Sequence, residues 1–433
     1  MSLEIIGLIV TMCSLALMFF RVPIAISLAV PAFIGILHLR DWTVLTTAIH
    51  TIVWHQSTSY ILTTIPMFVL MGELLTATGI SSELFFSFRA WFGRVKGGLA
   101  MATIGASAIF AASSGSSLAT TGTIGAISAK EMGKAGYSRV LIGGSIVAGG
   151  SLGILIPPSS GFILYGMMTE QSIGKLFIAG ILPGILLSFL YILTIYVIVL
   201  LKPNFAPQGQ EFTWKERFAS LRGTLLVLSL FALVIGGMYL GWYSPTEAAA
   251  VGALYCLIVS FLKKKLTWQS LILALTRTLR TTGFLMAIIL TAFILNYLLA
   301  YTRLPSAMAQ FLTSTDLSKA SLFTLIILMY VILGALMDTL AMIVVTVPVI
   351  LPIISALGFD LIWFGVIIVV VIEIAQISPP MGISCFVLDG VAPELRLENI
   401  FKGGVVFLVP CISLIVILYH FPGIALFLVS TMR

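Results

Sequence analysis

The chain has 433 residues, of which 60% are hydrophobic and only 9% are charged, where a soluble domain carries roughly a quarter. A mean hydropathy of +1.15 and apolar runs near the ~20-residue spanning length exclude a soluble globular protein, and the lack of short alternating segments excludes an outer-membrane barrel. The net charge of +7 fits an excess of Lys and Arg in cytoplasmic loops, so the lipid bilayer is the expected partner and nucleic acid is not.

In chain order, residues 5–20 form the first span. Glu4 precedes it, and "FFRVPIAI" follows in place of a small-residue cleavage site, so the segment is retained and is not a signal peptide. Residues 22–38 and 60–78 span again. Between them "WTVLTTAIHTIVWHQ" (42–56), with His50 and His55, reads as an interfacial arm helix or a short further span.

Residues 99–130 are apolar but interrupted at Ser113, Ser114, Gly115, Ser116 and Ser117, which leaves arms of about 14 residues, too short to cross ~30 Å. The flanks "RAWFGRVK" and "KEMGKAGYSR" are both basic, so both ends lie in the cytoplasm and the segment is a re-entrant hairpin. The next span, 139–165, is broken at Pro157 and Pro158, each of which lacks an N–H and clashes with the preceding turn. Residues 177–201 span once more, and the polar "KPNFAPQGQEFTWKER" (202–217) follows.

The order then recurs. Spans fall at 223–241, 246–262 and 283–301, with an arm at 267–281. A second hairpin, 321–354, is interrupted at Gly334–Thr339, a second broken span, 361–389, carries Pro379 and Pro380, and 403–420 spans last. The second proline pair stands 222 residues after the first, and "GMMTEQSIGKLFIAG" aligns with "GVAPELRLENIFKGG" at 224. "ELLTATGIS" meets "YLLAYTRLP" at 224, and "FRVP" meets "YSP" at 222. The expected architecture is an all-α polytopic membrane protein of two repeats, 1–210 and 211–433, each with five spans and one hairpin. An odd number of spans inverts the second repeat, as in many secondary transporters. The basic "KKK" (263–265) and the 202–222 linker then come out cytoplasmic, "LGWYSPTE" external and both termini periplasmic.

Irregular backbone at membrane depth is tolerated where it lines a cavity or binds something. Carbonyls freed by unwinding suit Na⁺, and half-helix N-termini suit anionic groups. Hydroxyls and glycines at the first tip allow tight turning and supply oxygen ligands to a hard cation. Three embedded carboxylates stand out: Asp338 at the second tip, Glu373 near the second break and Glu73 within a span. The cysteines Cys13, Cys256, Cys385 and Cys411 are too widely spaced for a metal or disulfide pattern. No GxxxxGK[ST] is present, so any pumping uses an ion gradient or a partner. An enzyme is not expected: an intramembrane hydrolase would need a base beside a tip serine, and neither half has a histidine in its core or a GxSxG motif. Two symmetric broken segments favour occlusion over an open channel.

The block "AASSGSSLATTGTIGAISAKEMGKAGYSRVLIGGSIVAGGSLGILIPPS" (111–159) resembles the signature region of the large membrane subunit of tripartite ATP-independent periplasmic (TRAP) transporters, and the resemblance extends over essentially the whole chain. It implies an elevator-type importer in the bacterial inner membrane. It also implies a Na⁺-driven uptake of organic acid anions such as C4-dicarboxylates or sialic acids, with no cofactor beyond the coupling ion. The implied partners are a small four-helix membrane subunit and a soluble periplasmic substrate-binding protein. No four-helix block precedes Met1, so the small subunit is expected as a separate chain.

The resemblance places a first sodium site on Ser114 and Ser117, with Ser113 and Ser116 as register alternatives, together with carbonyls of Gly153, Ile156 and Pro158. It places a second on Gly334, Ala375, Ser378 and Met381. The repeat carries Gly153 and Ile156 onto Ala375 and Ser378 at 222. Gly115, Pro157, Asp338, Thr339 and Pro379 are the candidates for contact with the anion. The alternative reading is a stand-alone ion-coupled carboxylate carrier of related fold.

The topology is testable with single cysteines. Lys96→Cys and Lys134→Cys should resist an impermeant external thiol reagent, while Ser314→Cys and Asp360→Cys should react. Equal labelling at all four positions would sink the inverted arrangement.

Overall fold

A computed structural model describes all residues except 1, 78, 208, 210, 316, 335, 336, 338 and 433, and the side chain of residue 77. The described residues are helical throughout, with no strand. By length and composition six helices can cross a membrane: Ile173–Leu201, Trp214–Tyr239, Pro245–Leu262, Trp268–Thr302, Thr339–Ala356 and Leu397–His420. Three helix starts are fixed locally by capping boxes, Thr213 with Glu216, Ser244 with Glu247 and Thr267 with Ser270.

The first hairpin is Gly98–Ser114 followed by Ser117–Lys134, and the second is Lys319–Gly334 followed by Thr339–Ala356. The arms of the first hairpin run to 17 and 18 residues, longer than the sequence suggests, because the tip serines and the basic flank join the helices. At 1.5 Å per residue they are still only about 25–27 Å long. The first broken segment is Arg139–Ser151, a 3₁₀ turn Leu152–Ile154, then Ser160–Thr169. The second is Leu361–Ile377 then Ile383–Val391. The Pro157–Pro158 and Pro379–Pro380 peptide bonds are both cis.

The two arms part company. In the first, Trp42–Ser57 bends by 57° into the next helix. In the second, the arm and the following span are one helix, Trp268–Thr302. The separate interfacial arm expected at 267–281 is therefore corrected. Pro66 stands in the first turn of the next helix, Thr64–Ala77, and denies the Leu62 carbonyl a helical donor, whereas the second stretch has no proline there. Three short helices were not foreseen: Ile80–Phe92, Leu304–Thr313 and Gly423–Ser430. The first two start 224 residues apart, each after a left-handed residue, Gly79 at φ 70° and Arg303 at φ 56°.

Burial separates the helices into a centre and a rim. Every residue from Trp363 to Ile377 is buried, as is every residue from Leu141 to Ser151. Long helices such as Ile173–Leu201 expose much of their apolar surface, among it Ile185, Phe189 and Leu200. Tyr165 stitches the chain's two stretches together by donating its hydroxyl to the Leu361 carbonyl at 2.6 Å, and within the second stretch Trp363 donates its indole N–H to Leu418 at 2.9 Å. Small residues let the backbones touch: a Cβ on Gly403 would lie 2.1 Å from the Val140 carbonyl oxygen. Glu73 pairs with Arg277 at 3.5 Å, Glu83 with Lys263 at 2.7 Å and Arg89 with Glu131 at 2.6 Å.

The crossing at Gly403 yields a prediction. Gly403→Ala should cost about 1–3 kcal/mol by overpacking against fixed backbone. Gly390→Ala, with no atom within 4 Å of the added carbon, should be neutral. Equal detergent melting temperatures for the two variants would contradict this.

Candidate functional site

Pro157 and Pro158 remove the N–H groups that would otherwise reach the Gly153 and Ile154 carbonyls four residues earlier. The chain replaces one of them: the Ser159 hydroxyl donates to the Ile154 carbonyl and also accepts from Phe162 N, capping the helix that follows. The tip of the first hairpin fits into this break. A Cβ on Gly153 would lie 2.6 Å from the Ser116 carbonyl carbon and 2.7 Å from Ser117 N, so only glycine admits the tip. Gly115 turns the tip at φ 60°, and a Cβ there would lie 2.6 Å from the Pro158 carbonyl oxygen. Ser160 N donates to the Gly115 carbonyl at 3.5 Å.

The tip hydroxyls are oriented by carbonyls. Ser113 donates to Phe110 at 2.7 Å and Ser117 to Ser151 at 3.0 Å, which leaves hydroxyl lone pairs free to face a cation. Ser114 shares a hydrogen bond with Thr120 at 3.0 Å, and Ser116 caps the second arm by accepting from Ala119 N. Ile156 is buried in the break against Gly184. The structure thus brings Ser113, Ser114, Ser116, Ser117, Gly153, Ile156 and Pro158 into one region. Two helix N-termini, those of Ser117–Lys134 and Ser160–Thr169, begin there with their positive dipole ends.

Beside this contact lies a cavity of about 40 Å³. Ser114, Gly115, Pro158, Ser159 and Ser160 form its polar wall, and Ile65, Phe68, Val69, Leu285 and Ile289 form an apolar wall on two other helices.

The second hairpin meets the second break at the equivalent break residue but through a different part of the tip, since Gly334 stands 222 residues after Ala112 and not after Ser116. A Cβ on Gly334 would lie 2.2 Å from the Ala375 Cβ, and Ala375 stands 222 residues after Gly153. Pro379 and Pro380 remove the donors for the Ala375 and Gln376 carbonyls. Ser378 is buried, and its hydroxyl has no hydrogen-bond partner among the described residues. Met381 is half-buried just beyond the prolines, while Pro379 and Pro380 are exposed, unlike Pro157 and Pro158. Thr339 opens the second arm, and its hydroxyl accepts from Gln376 Nε2 at 3.2 Å. Asp338 lies outside the described residues.

Sequence reasoning missed Gln376, Ser384 and Ser159. Gln376 had a signal, a neutral polar residue in an otherwise apolar helix beside Glu373. Glu373 itself is fully buried, and neither carboxyl oxygen has a hydrogen-bond partner among the described residues. No group of three or more His, Cys, Asp or Glu capable of holding a metal occurs among the described residues. The candidate ligands are neutral oxygens, a set that suits a hard cation over a transition metal.

Residues 11–424 match the family described as "Tripartite ATP-independent periplasmic transporter, DctM component". A C4-dicarboxylate TRAP transporter large permease protein of Pseudomonas aeruginosa is 34% identical, covering 86% of this chain and 87% of its own. A sialic acid TRAP transporter large permease protein of Vibrio cholerae is 31% identical over 86% of each. In fold, the chain is similar to the Neisseria gonorrhoeae MtrF efflux pump at TM-score 0.62 and 14% identity, covering 88% of this chain and 85% of that one. It is also similar to the Alcanivorax borkumensis YdaH transporter at TM-score 0.56 and 16% identity, covering 86% and 89%.

The tip contacts can be tested by adding one carbon. Gly153→Ala and Gly334→Ala should each lower the melting temperature, through an overpacking cost of about 1–3 kcal/mol. Gly133→Ala, with open space around it, should not. Unchanged melting in both tip variants would mean that the tips are not seated in the breaks.

Proposed function

The chain belongs to the tripartite ATP-independent periplasmic transporters as a DctM component, a large permease, and on that premise we propose that it imports a small organic anion together with Na⁺ by an elevator movement. The observation that carries the reading is the seating of each hairpin in a proline-broken helix, Ser116–Ser117 on Gly153 and Gly334 on Ala375, at break residues 222 positions apart. Each seat combines carbonyls robbed of their helical donors with hydroxyls nearby. The Ser378 hydroxyl is buried without a hydrogen-bond partner among the described residues, and a buried polar group normally finds one.

In this reading Ser114 and Ser117, with Ser113 and Ser116 as register alternatives, hold one Na⁺ together with carbonyls of Gly153, Ile156 and Pro158, and Gly334, Ala375, Ser378 and Met381 hold a second. The anion sits by the first tip, near Gly115 and Pro157, where two helix N-termini offer positive charge. Thr339 and Pro379 are the candidates from the second half to contact it, and Asp338, outside the described residues, remains the sequence's candidate. C4-dicarboxylates and sialic acids, the cargo named for the relatives, are the substrate classes to try first. The apolar wall formed by Ile65, Phe68, Val69, Leu285 and Ile289 makes no directional bond with the tip, and this supports a sliding movement of hairpins and broken helices past the remaining helices. Those remaining helices are where a small membrane subunit would attach, and a periplasmic binding protein would deliver the anion. The inner membrane is the site of action, with two inverted repeats, 1–210 and 211–433, and both termini in the periplasm.

Energetics set the coupling. Each charge moved through 100 mV is worth about 2.3 kcal/mol. A dicarboxylate entering with two Na⁺ is neutral, and a third Na⁺ lets an inside-negative potential drive uptake.

Reconstituted uptake should need an inward Na⁺ gradient, the small subunit and the liganded binding protein together, and an inside-negative potential should accelerate it. Ser117→Ala and Ser378→Ala should weaken Na⁺ activation, each by the about 1–3 kcal/mol lost with one neutral ligand. Omitting components in turn from proteoliposomes is the measurement. Robust uptake by this chain alone would favour a stand-alone carrier, and unchanged Na⁺ activation in both variants would remove the sodium assignment.

A further inference from the structure

The second broken segment is held by side chains that the sodium reading does not use. Gln376 is 4% exposed, near the end of Leu361–Ile377. Its Nε2 donates to Thr339 Oγ1 at 3.2 Å, and its Oε1 accepts from Ser384 Oγ at 3.2 Å. Thr339 begins the second arm of the hairpin, and Ser384 lies on the helix beyond the prolines. One amide therefore ties together the helix before the break, the helix after it and the hairpin arm. Ser384 is fully buried and Thr339 nearly so.

The first half meets the same need by different means. At the 222-residue spacing, Thr339, Gln376, Met381 and Ser384 correspond to Ser117, Ile154, Ser159 and Phe162. In the first half Pro158 deprives the Ile154 carbonyl of its donor, and the Ser159 hydroxyl replaces it. In the second half Pro380 deprives the Gln376 carbonyl in the same way, but Met381 has no hydroxyl to offer. The side chain of Gln376 supplies the missing anchor from the very residue whose backbone has lost its bond. Its backbone nitrogen also belongs to the peptide unit that carries the Ala375 carbonyl, and Pro379 leaves that carbonyl without its helical donor. Rotation of this peptide unit would swing the carbonyl, and clamping Gln376 from both sides opposes that rotation.

We propose that Gln376 is the positioning residue of the second cation site. Through Thr339 and Ser384 it aims the Ala375 carbonyl and keeps the Ser378 hydroxyl at the hairpin tip, without itself touching the ion. This rests on the sodium reading above. It also makes the site depend on the seating of the second hairpin, because withdrawing Thr339 releases one side of the clamp. Groups that orient ligands in this way commonly change metal affinity 10–100-fold when removed.

The test uses the purified full-length chain, with its melting temperature titrated by NaCl against choline chloride at constant ionic strength, and Na⁺ activation of uptake in the reconstituted assembly. Gln376→Leu keeps the bulk and removes both bonds. It should raise the half-saturating Na⁺ concentration at least fivefold in both measurements, more than it raises the substrate KM. Thr339→Val and Ser384→Ala should shift it in the same direction by less. Combining Gln376→Leu with Thr339→Val should add nothing to Gln376→Leu alone. If Na⁺ neither stabilises the wild-type chain nor activates its uptake, the sodium reading falls and this inference falls with it. If the wild type responds and the half-saturation of all three single variants stays within twofold, the inference alone is overturned. Should Gln376→Leu fail to accumulate, Thr339→Val and Ser384→Ala decide by the same criterion.

Discussion

A backbone carbonyl in hydrocarbon has no water to turn to, and each proline pair in this chain removes two of the donors that a helix would have supplied. Much of the central architecture answers that deficit. Hydroxyls fill part of it, as Ser159 does for Ile154. The hairpins fill the space around the rest, and they reach it only because Gly153 and Gly334 carry no side chain. The most deeply buried helices, Leu361–Ile377 and Arg139–Ser151, lead into the breaks. Burial is what keeps irregular backbone away from lipid.

The same deficit gives the protein its chemistry. Neutral oxygens gathered at a helix break are the kind of ligand that a hard cation prefers. The apolar wall opposite the first tip completes a cavity beside it. No charged side chain lines this cavity among the described residues. The ion pairs Glu83–Lys263 and Arg89–Glu131 join the short helix Ile80–Phe92 to its neighbours at partly exposed positions, where they cost little desolvation and contribute modestly.

Much of this was legible in the sequence because the signals were local. Apolar length marked the spans, paired prolines marked the breaks, and serines and glycines marked the first tip. The spacing of 222 carried Gly153 onto Ala375, and both residues meet a hairpin tip of their own half. The short helices Ile80–Phe92 and Leu304–Thr313 were not legible, because a brief amphipathic segment of mixed polarity resembles a loop when read alone. The continuity of Trp268–Thr302 was missed for a related reason. Its arm is polar enough to look interfacial, and only the structure shows that the helix runs on without a break.

By itself, the sequence determined that the protein is helical, that it is built for a membrane and where its helices must break, since apolar length and missing N–H groups are properties of the chain. The tertiary structure alone decided which groups answer the breaks. Ser117 finds the Ser151 carbonyl, and Gln376 finds Thr339 and Ser384, bonds that span from 8 to 37 residues and exist only once the breaks have folded and the hairpins are seated. A hydrogen bond needs its donor and acceptor within about 3 Å. No pattern along the chain can place two atoms that closely when the segments carrying them are brought together by folding.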